Sequence, residues 1–292
     1  MTTAASSNIA TASPSPTKPV ARSSESSRWL PPRPRNISAS SEGWRDDRNH
    51  LALVRLDVAI PEQFLAAVDG RRGTEAADRL CEACVQLFDI DAAAISLVFD
   101  GANNATLGCS DASARMYDEL QFTFGEGPCL DAVATRGPIL VADLADPEHT
   151  RWPAYGEAML AHEIRGVFAM PVVVAGAHVG ALDFFRAQPG RLSGEEFTGA
   201  VGAAELASIP LLDLMSADLQ AAVDDPASNA WAELSILSRA EVGQATGMLV
   251  AQLGIEPAEA LVRIRAHAYA TDRTATDVAR DILDRRLTLE AD

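Results

Sequence analysis

Lysine, aromatic residues, cysteine and long apolar runs are all scarce in this chain of 292 residues. Lys18 is the single lysine among 24 basic residues, aromatic residues make up 5% of the chain, and there are four cysteines. So few cysteines in a chain of this length exclude a disulfide scaffold. The low aromatic content predicts cores built from Ala, Val, Leu and Ile. Because no run of about eighteen apolar residues occurs, we expect no membrane-spanning helix.

Targeting and catalytic signals are also missing. The N-terminal stretch has no continuous apolar segment of the kind that a secretory signal contains, so we predict a cytoplasmic protein without a membrane partner. No Ser/His/Asp or Cys/His spacing, phosphate-binding glycine loop or reliable carboxylate pair is present, which argues against an enzyme. Cys81 and Cys84 form a CxxC motif inside an amphipathic helix, but no second ligand pair accompanies them. We therefore predict no metal site, and the sequence identifies no cofactor.

Acidic residues dominate, and the net charge is −17. The negative charge is concentrated in residues 51–230, whereas residues 231–292 contain seven basic and ten acidic groups. The acidic middle of the chain repels polyanions. Because the C-terminal part lacks the strongly basic balance of most nucleic-acid-binding proteins, RNA binding there requires a local arginine face.

Composition and periodicity divide the chain into four segments. Residues 1–50 are rich in Ser, Pro, Ala and Arg with little apolar clustering, which predicts a disordered tail. We assign a lead-in segment to 51–75, a mixed helix-and-strand block to 76–222, and a helical block to 229–292.

The mixed block predicts an α+β fold, because runs of antiparallel strands are flanked by helices. Its clearest feature is a hairpin, in which a two-residue Ala-Gly turn joins two β-rich runs. Ser193 and Glu196 form a capping box that begins a helix predicted to reach about Leu219. The expected helices cover 75–88, 129–136 and 153–163, and the expected strands cover 92–99, 105–110, 139–144, 166–174 and 177–186.

Residues 76–220 resemble a GAF domain of the type common in actinobacterial regulators. The resemblance rests on the Phe124-Gly-Glu-Gly-Pro-Cys129 loop, the Val141-Ala-Asp-Leu144 strand end, Arg151-Trp-Pro153 and the paired strands PVVVAGAHVGALDFF. It implies a sensor of a small ligand or cofactor, built on a central antiparallel sheet with helices on its faces. A GAF domain that serves only as a dimer scaffold is the alternative.

The glycine-rich loop supplies most of the candidate ligand-binding residues, which are Gly125, Gly127, Cys129 and Cys109. The two glycines permit a tight backbone, and the helix that follows offers N–H groups to an anion or a carbonyl. A position near a helix N-terminus lowers a thiol pKa, so redox sensing through Cys129 is a hypothesis.

The C-terminal block contains three short amphipathic helices with separate start and stop signals. Ser238 and Glu241 form a capping box, and Gly254 suits the left-handed end of that helix. Pro257 fits the first position of the second helix, and Thr274 fits the cap of the third. The pattern predicts a compact three-helix bundle, with a possible helical stalk reaching back to Trp231.

This block resembles an ANTAR domain, the RNA-binding module of bacterial antitermination regulators. The resemblance spans about 231–289 and rests on Arg239, the Val242-x-Gln-Ala-Thr-Gly-Met248 run, Glu259-Ala260, Leu261-Val-Arg-Ile-Arg265 and Asp277-Val-Ala279. It implies binding of RNA stem-loops through Arg239 and Arg265. Many ANTAR domains have lysine where this chain has Thr246, which removes a possible phosphate contact.

Arginine chemistry adds Arg263, His267, Arg273 and Arg280 to the candidate RNA contacts, because guanidinium groups bind phosphate and stack on bases. The sequence therefore predicts a homodimeric regulator in which a GAF sensor controls an RNA-binding antiterminator bundle. Two alternatives stay open: a bundle that acts only in dimerisation or protein docking, and a DNA-binding helix-turn-helix, which no basic recognition helix supports.

Overall fold

A computed structural model describes residues 62–99, 101–214 and 239–290. Helices and strands are numbered below in chain order over these residues. The predicted tail at 1–50, residues 51–61 of the lead-in segment, the Ser238 cap and the stalk near Trp231 lie outside them.

The centre of the first domain is a five-stranded sheet with the strand order β2-β1-β5-β4-β3, in which all neighbours are antiparallel. The strands are β1 (Ala92–Phe99), β2 (Ala102–Cys109), β3 (Ile139–Val141), β4 (Gly166–Val174) and β5 (Ala177–Arg186). The predicted α+β class and the β4–β5 hairpin are confirmed. β3 ends earlier than predicted, because the Asp143 carboxylate accepts a hydrogen bond from the Ala145 N–H and turns the chain.

Seven helices pack around the sheet in the described residues of this domain. They are α1 (62–68), α2 (Gly73–Leu87), α3 (Ala112–Phe124), α4 (Pro128–Thr135), α5 (Pro153–Ala161), α6 (Gly194–Leu206) and α7 (208–214). The capping box of α6 forms as predicted, with Ser193 and Glu196 each bonding the backbone of the other.

The strands alternate between two cores. Along β5, Leu182 and Phe184 join α1, α2, α6 and α7 in one apolar cluster, whereas Ala181 and Phe185 join α3, α4 and α5 in the other. Because successive side chains of a strand point to opposite faces, Asp183 faces the second core. In β1, Ser96 lies between Ile95 and Leu97 of the first cluster, and so it also faces the second.

Among the described residues, one helical segment, Gly194–Leu214, which α6 and α7 form with a break at Ala207, has the length and apolar composition to cross a membrane. This evidence is weak, because 44% of that window is buried within the domain. Its inward residues, among them Ala203, Ala207 and Leu211, pack in the first core. Packing against the sheet therefore explains the apolar character of this helix.

The second domain is a bundle of α8 (Ala240–Leu253), α9 (Pro257–Ala270) and α10 (Ala275–Leu283). Most of the predicted signals act as expected: Gly254 ends α8 in the left-handed region, Pro257 begins α9, and the Thr274 hydroxyl accepts a hydrogen bond from the Asp277 N–H. The start of α8 differs, because Arg239 occupies its N-cap in a left-handed conformation without a side-chain cap. The bundle core consists of Val242, Ala245, Leu249, Ala260, Ile264, Ala268, Ala275, Val278, Ala279 and Ile282, together with Phe122 from α3.

Candidate functional site

A cluster of buried polar side chains lies between the sheet and α3. Ser96 Oγ is 2.5 Å from Asp118 Oδ1 and 2.6 Å from Asp183 Oδ2, and all three residues are fully buried. A hydroxyl carries one proton and can donate to only one of the two carboxyl groups. Burial, followed by the negative charge of Asp118, raises the pKa of Asp183 to about 8 against the hydrogen bonds from Ser96 and Gln121. A protonated Asp183 can therefore donate to Ser96, which donates to Asp118.

Asp118 is the centre of this cluster. Its Oδ1 accepts a hydrogen bond from Asn103 Nδ2 at 2.6 Å, and its Oδ2 accepts one from Thr106 Oγ1. The same Oδ2 lies 3.1 Å from Arg239 Nη2. The positive partner of a buried carboxylate in the first domain is thus supplied by the second domain.

The sheet domain contacts all three guanidinium nitrogens of Arg239 and one face of the guanidinium plane. Besides Asp118, its Nε donates to Glu119 Oε2 at 2.7 Å and its Nη1 donates to Asn103 Oδ1 at 3.1 Å. Its guanidinium stacks over the Phe122 ring at 4.4 Å from the centroid. The side chain is only 7% exposed. Breaking such a buried pair is costly, because an uncompensated charge would remain in the core.

Arg265 lies over the same aromatic ring, at 4.8 Å from the centroid of Phe122. Its Nε is buried and has no hydrogen-bond partner. Burial, followed by the positive charge of Arg239, lowers the pKa of Arg265. Two positively charged guanidinium groups thus stack on one aromatic ring. In this docked arrangement Arg265 lacks a hydrogen bond that solvent would otherwise supply.

Further contacts extend this seam along α3. Thr276 Oγ1 donates to Glu119 Oε1 at 2.7 Å, and the Ala275 N–H donates to Thr123 Oγ1 at 3.0 Å. The rings of Phe124 and Tyr269 meet edge to face at 5.9 Å. A cleft of about 810 Å³ lies beside the contact, between α3, α5 and the turn from α9 to α10. The seam is therefore polar in part and open to solvent along one side.

The structure does not gather the other candidate RNA contacts at this seam. Arg263 pairs with Glu259 at 3.0 Å, Arg273 with Asp281 at 2.7 Å, and Arg280 with Glu241 at 3.3 Å. His267 is half-buried on α9. Helix steps of about 100° place Arg263 and Arg265 on opposite flanks of the buried seam through Ile264. The six candidates therefore do not form one continuous face in the docked arrangement.

The loop between α3 and α4 is occupied by packing within the protein. Gly125 ends α3 in the left-handed region. A Cβ at Gly127 would lie 2.6 Å from Gln121 Oε1, which accepts a hydrogen bond from the Cys129 N–H at 2.8 Å. The Glu126 carboxylate caps the N-terminus of α5. At least one N–H that the sequence offered to a ligand is thus already bonded.

The two candidate cysteines lie in different surroundings. The expected lowering of the Cys129 pKa is wrong, because complete burial, followed by the charges of Asp183 and Asp118, raises the pKa of this thiol. Cys109 is half-buried, and burial also raises its pKa. Cys109 packs at the margin of the second core, which also contains Cys129, and the charges of Arg115, Asp78 and Asp111 act on its thiol.

Family models identify both domains. The GAF domain model matches residues 74–210, and the ANTAR domain model matches residues 233–283. The chain therefore belongs to the regulators that combine a GAF domain with an ANTAR domain. ANTAR domains are the RNA-binding modules of antiterminator regulators, and neither domain is of a catalytic type.

Solved structures are similar to part of this chain. The GAF domain of a phosphoenolpyruvate-protein phosphotransferase from Coxiella burnetii is 18% identical with a TM-score of 0.44, over 57% of this chain and 98% of that one. The fRMsr of Staphylococcus aureus in its reduced form is 14% identical with a TM-score of 0.39, over 52% and 92%. A comparison with curated proteins gave no match.

Proposed function

We propose that this protein binds RNA stem-loops through its ANTAR bundle, prevents terminator formation, and is held in a resting state by its GAF domain. The observation that carries this proposal is the position of Arg239, which is buried, and of Arg265, which is half-buried, against Phe122 of α3. An arginine cannot stack on a base or bind phosphate while another domain covers it. RNA and α3 therefore compete for the same two side chains.

The energetics of the seam suit a reversible contact. Arg239 is well paired in the docked state, whereas Arg265 lacks a partner for its Nε and lies beside a like charge. RNA phosphate would supply Arg265 with the partner that docking denies it. A signal at the GAF domain needs only to weaken the Arg239 contacts to shift the population toward the released bundle.

Three finer features belong to the same proposal. The signal is a small ligand or a redox change received by the GAF domain. Two chains pair as a homodimer, so that two RNA loops are held together, and light scattering with and without RNA tests this. The protein acts in the cytoplasm, where nascent RNA is made.

The test is filter binding of the full chain to a structured RNA pool at two salt concentrations. We expect Arg239→Gln/Arg265→Gln to weaken binding at least about tenfold, because two phosphate or base contacts of about 1 kcal/mol or more are lost. Binding by the unchanged protein should also fall as the salt concentration rises. The double substitution removes the contact of the bundle with Asp118. Weaker RNA binding therefore cannot result from tighter docking of the bundle on α3.

The matched control is Arg71→Gln/Arg79→Gln, which removes one cation just before α2 and one on its surface. It should leave RNA affinity unchanged. Each pair of substitutions is repeated in a Glu119→Ala background, in which the contact of Arg239 with Glu119 is gone. Equal affinity of the two double variants would overturn the role of Arg239 and Arg265. An absence of selective RNA binding in both backgrounds would favour the alternative, a bundle that acts only in docking or dimerisation.

A further inference from the structure

The buried cluster beside Arg239 contains three side chains of metal-binding type. Asp118, Cys129 and Asp183 come from α3, α4 and β5, and one ligand atom of each lies within 4.8 Å of the other two. All three are fully buried. A Zn–S and a Zn–O bond together span about 4.4 Å at most, so small side-chain movements would bring these donors to a single ion.

Two buried oxygens at the same place lack hydrogen-bond partners. Asp183 Oδ1 and Tyr155 Oη are two of the four unpartnered buried side-chain atoms among the described residues. Tyr155 packs in the same core cluster as Cys129, and burial, followed by the charges of Asp183, Cys129 and Asp118, raises the pKa of its phenol. An unpartnered buried polar atom destabilises the fold, so two in one cluster point to a ligand that binds them.

We propose that Asp118, Cys129 and Asp183, with Tyr155 beside them, form a binding site for one divalent transition-metal ion. A thiolate among carboxylates favours an ion of borderline softness such as Zn²⁺ over Mg²⁺ or Ca²⁺, which select oxygen ligands. When the ion binds, the thiol proton and any carboxyl proton are released to solvent. The sulfur and the carboxylate oxygens then donate electron pairs to the metal. Two carboxylates and one thiolate then balance the ion together with Arg239.

The position of Arg239 couples this site to the ANTAR bundle, a consequence that rests on the proposed function. Its Nη2 already lies 3.1 Å from Asp118 Oδ2, a ligand of the proposed ion. A divalent cation that binds this carboxylate competes with the guanidinium for its lone pairs, and the Arg239 contact is the longest of the four side-chain contacts that the Asp118 carboxylate accepts. Metal binding therefore weakens the hold of the GAF domain on Arg239. By reciprocity, RNA should tighten metal binding by the same factor.

The test is titration of the chelator-treated full chain with Co²⁺, which substitutes for Zn²⁺ and gives a thiolate-to-metal absorption band. We expect one equivalent to bind with that band present. Cys129→Ala should abolish the band, and Asp183→Asn should weaken binding by at least about tenfold. Cys81 is another fully buried cysteine and lies in α2, so the Cys81→Ala variant should retain the band. Unfolding curves without metal establish that each variant is folded.

No band in the unchanged protein, or a band that survives Cys129→Ala, would overturn the site. A band that Cys81→Ala removes would assign the thiolate to α2 and also overturn it. RNA affinity with and without Zn²⁺ then tests the coupling, and we expect tighter binding with Zn²⁺. If the protein binds metal but its RNA affinity does not change, the metal site is supported and its coupling to RNA binding is refuted. If the protein binds no metal but Glu119→Ala changes its RNA affinity, the proposed function is supported and the metal site is not.

Discussion

Glu119→Ala should tighten RNA binding by the full chain about ten- to a hundredfold, because it removes two of the bonds that hold the bundle on α3. The Glu119 carboxylate accepts from Arg239 Nε and from Thr276 Oγ1, both at 2.7 Å, and its side chain is only 15% exposed. A hydrogen bond contributes about 0.5–1.5 kcal/mol net, so the two bonds together contribute about 1–3 kcal/mol, and about 1.4 kcal/mol is a factor of ten. The apparent RNA affinity rises with the released fraction.

Filter binding with the selected RNA measures this effect. The control is Glu205→Ala, which removes the same charge from an exposed position on α6. Both variants remove one negative charge and so reduce the electrostatic repulsion of RNA equally. Any difference in RNA affinity between them is therefore due to the Glu119 bonds at the seam. A folded Glu119→Ala protein with the RNA affinity of the Glu205→Ala control would contradict autoinhibition by α3.

Gly180→Ala should destabilise the GAF domain by about 3 kcal/mol, because the position has no room for a methyl group. Gly180 pairs with Leu97 across β1 and β5, and a Cβ there would lie 2.1 Å from the Ser96 carbonyl oxygen. The clash is with backbone, so β1 and β5 must separate. Because Ser96 bridges Asp118 and Asp183, the polar cluster would be displaced as well.

Urea unfolding, followed by circular dichroism, measures the loss of stability. Gly202→Ala is the matched control, because a Cβ at this helical position of α6 meets no atom within 4 Å. We expect the control to be neutral or to gain about 0.5–1 kcal/mol through the higher helix propensity of alanine. If the two variants were equally stable, the close approach of β1 and β5 would be refuted.

Local signals predicted most of the fold. The Ala-Gly turn between two β-rich runs predicted the β4–β5 hairpin, and Ser193 with Glu196 predicted the start of α6. These signals work because turn and cap bonds join residues a few positions apart.

The polar cluster could not be predicted in the same way, because its members come from separate elements that only the tertiary fold brings together. One signal was available: Asp183 interrupts the apolar strand ALDFF, and a carboxylate in a buried strand calls for a partner. Nothing local indicated that the partner network would include Arg239. Motif similarity marked that arginine as an RNA contact, whereas its burial depends on packing between the two domains.

Side-chain oxidation of Phe122 by hydroxyl radicals, with and without the selected RNA, tests the central claim most directly. Phe122 is 7% exposed because Arg239 and Arg265 cover its ring and the bundle core surrounds it. The account predicts that RNA raises the labelling of Phe122 while Phe185, in the GAF core, stays protected. If saturating RNA binds and the labelling of Phe122 does not change, RNA and α3 do not compete, and the account is wrong.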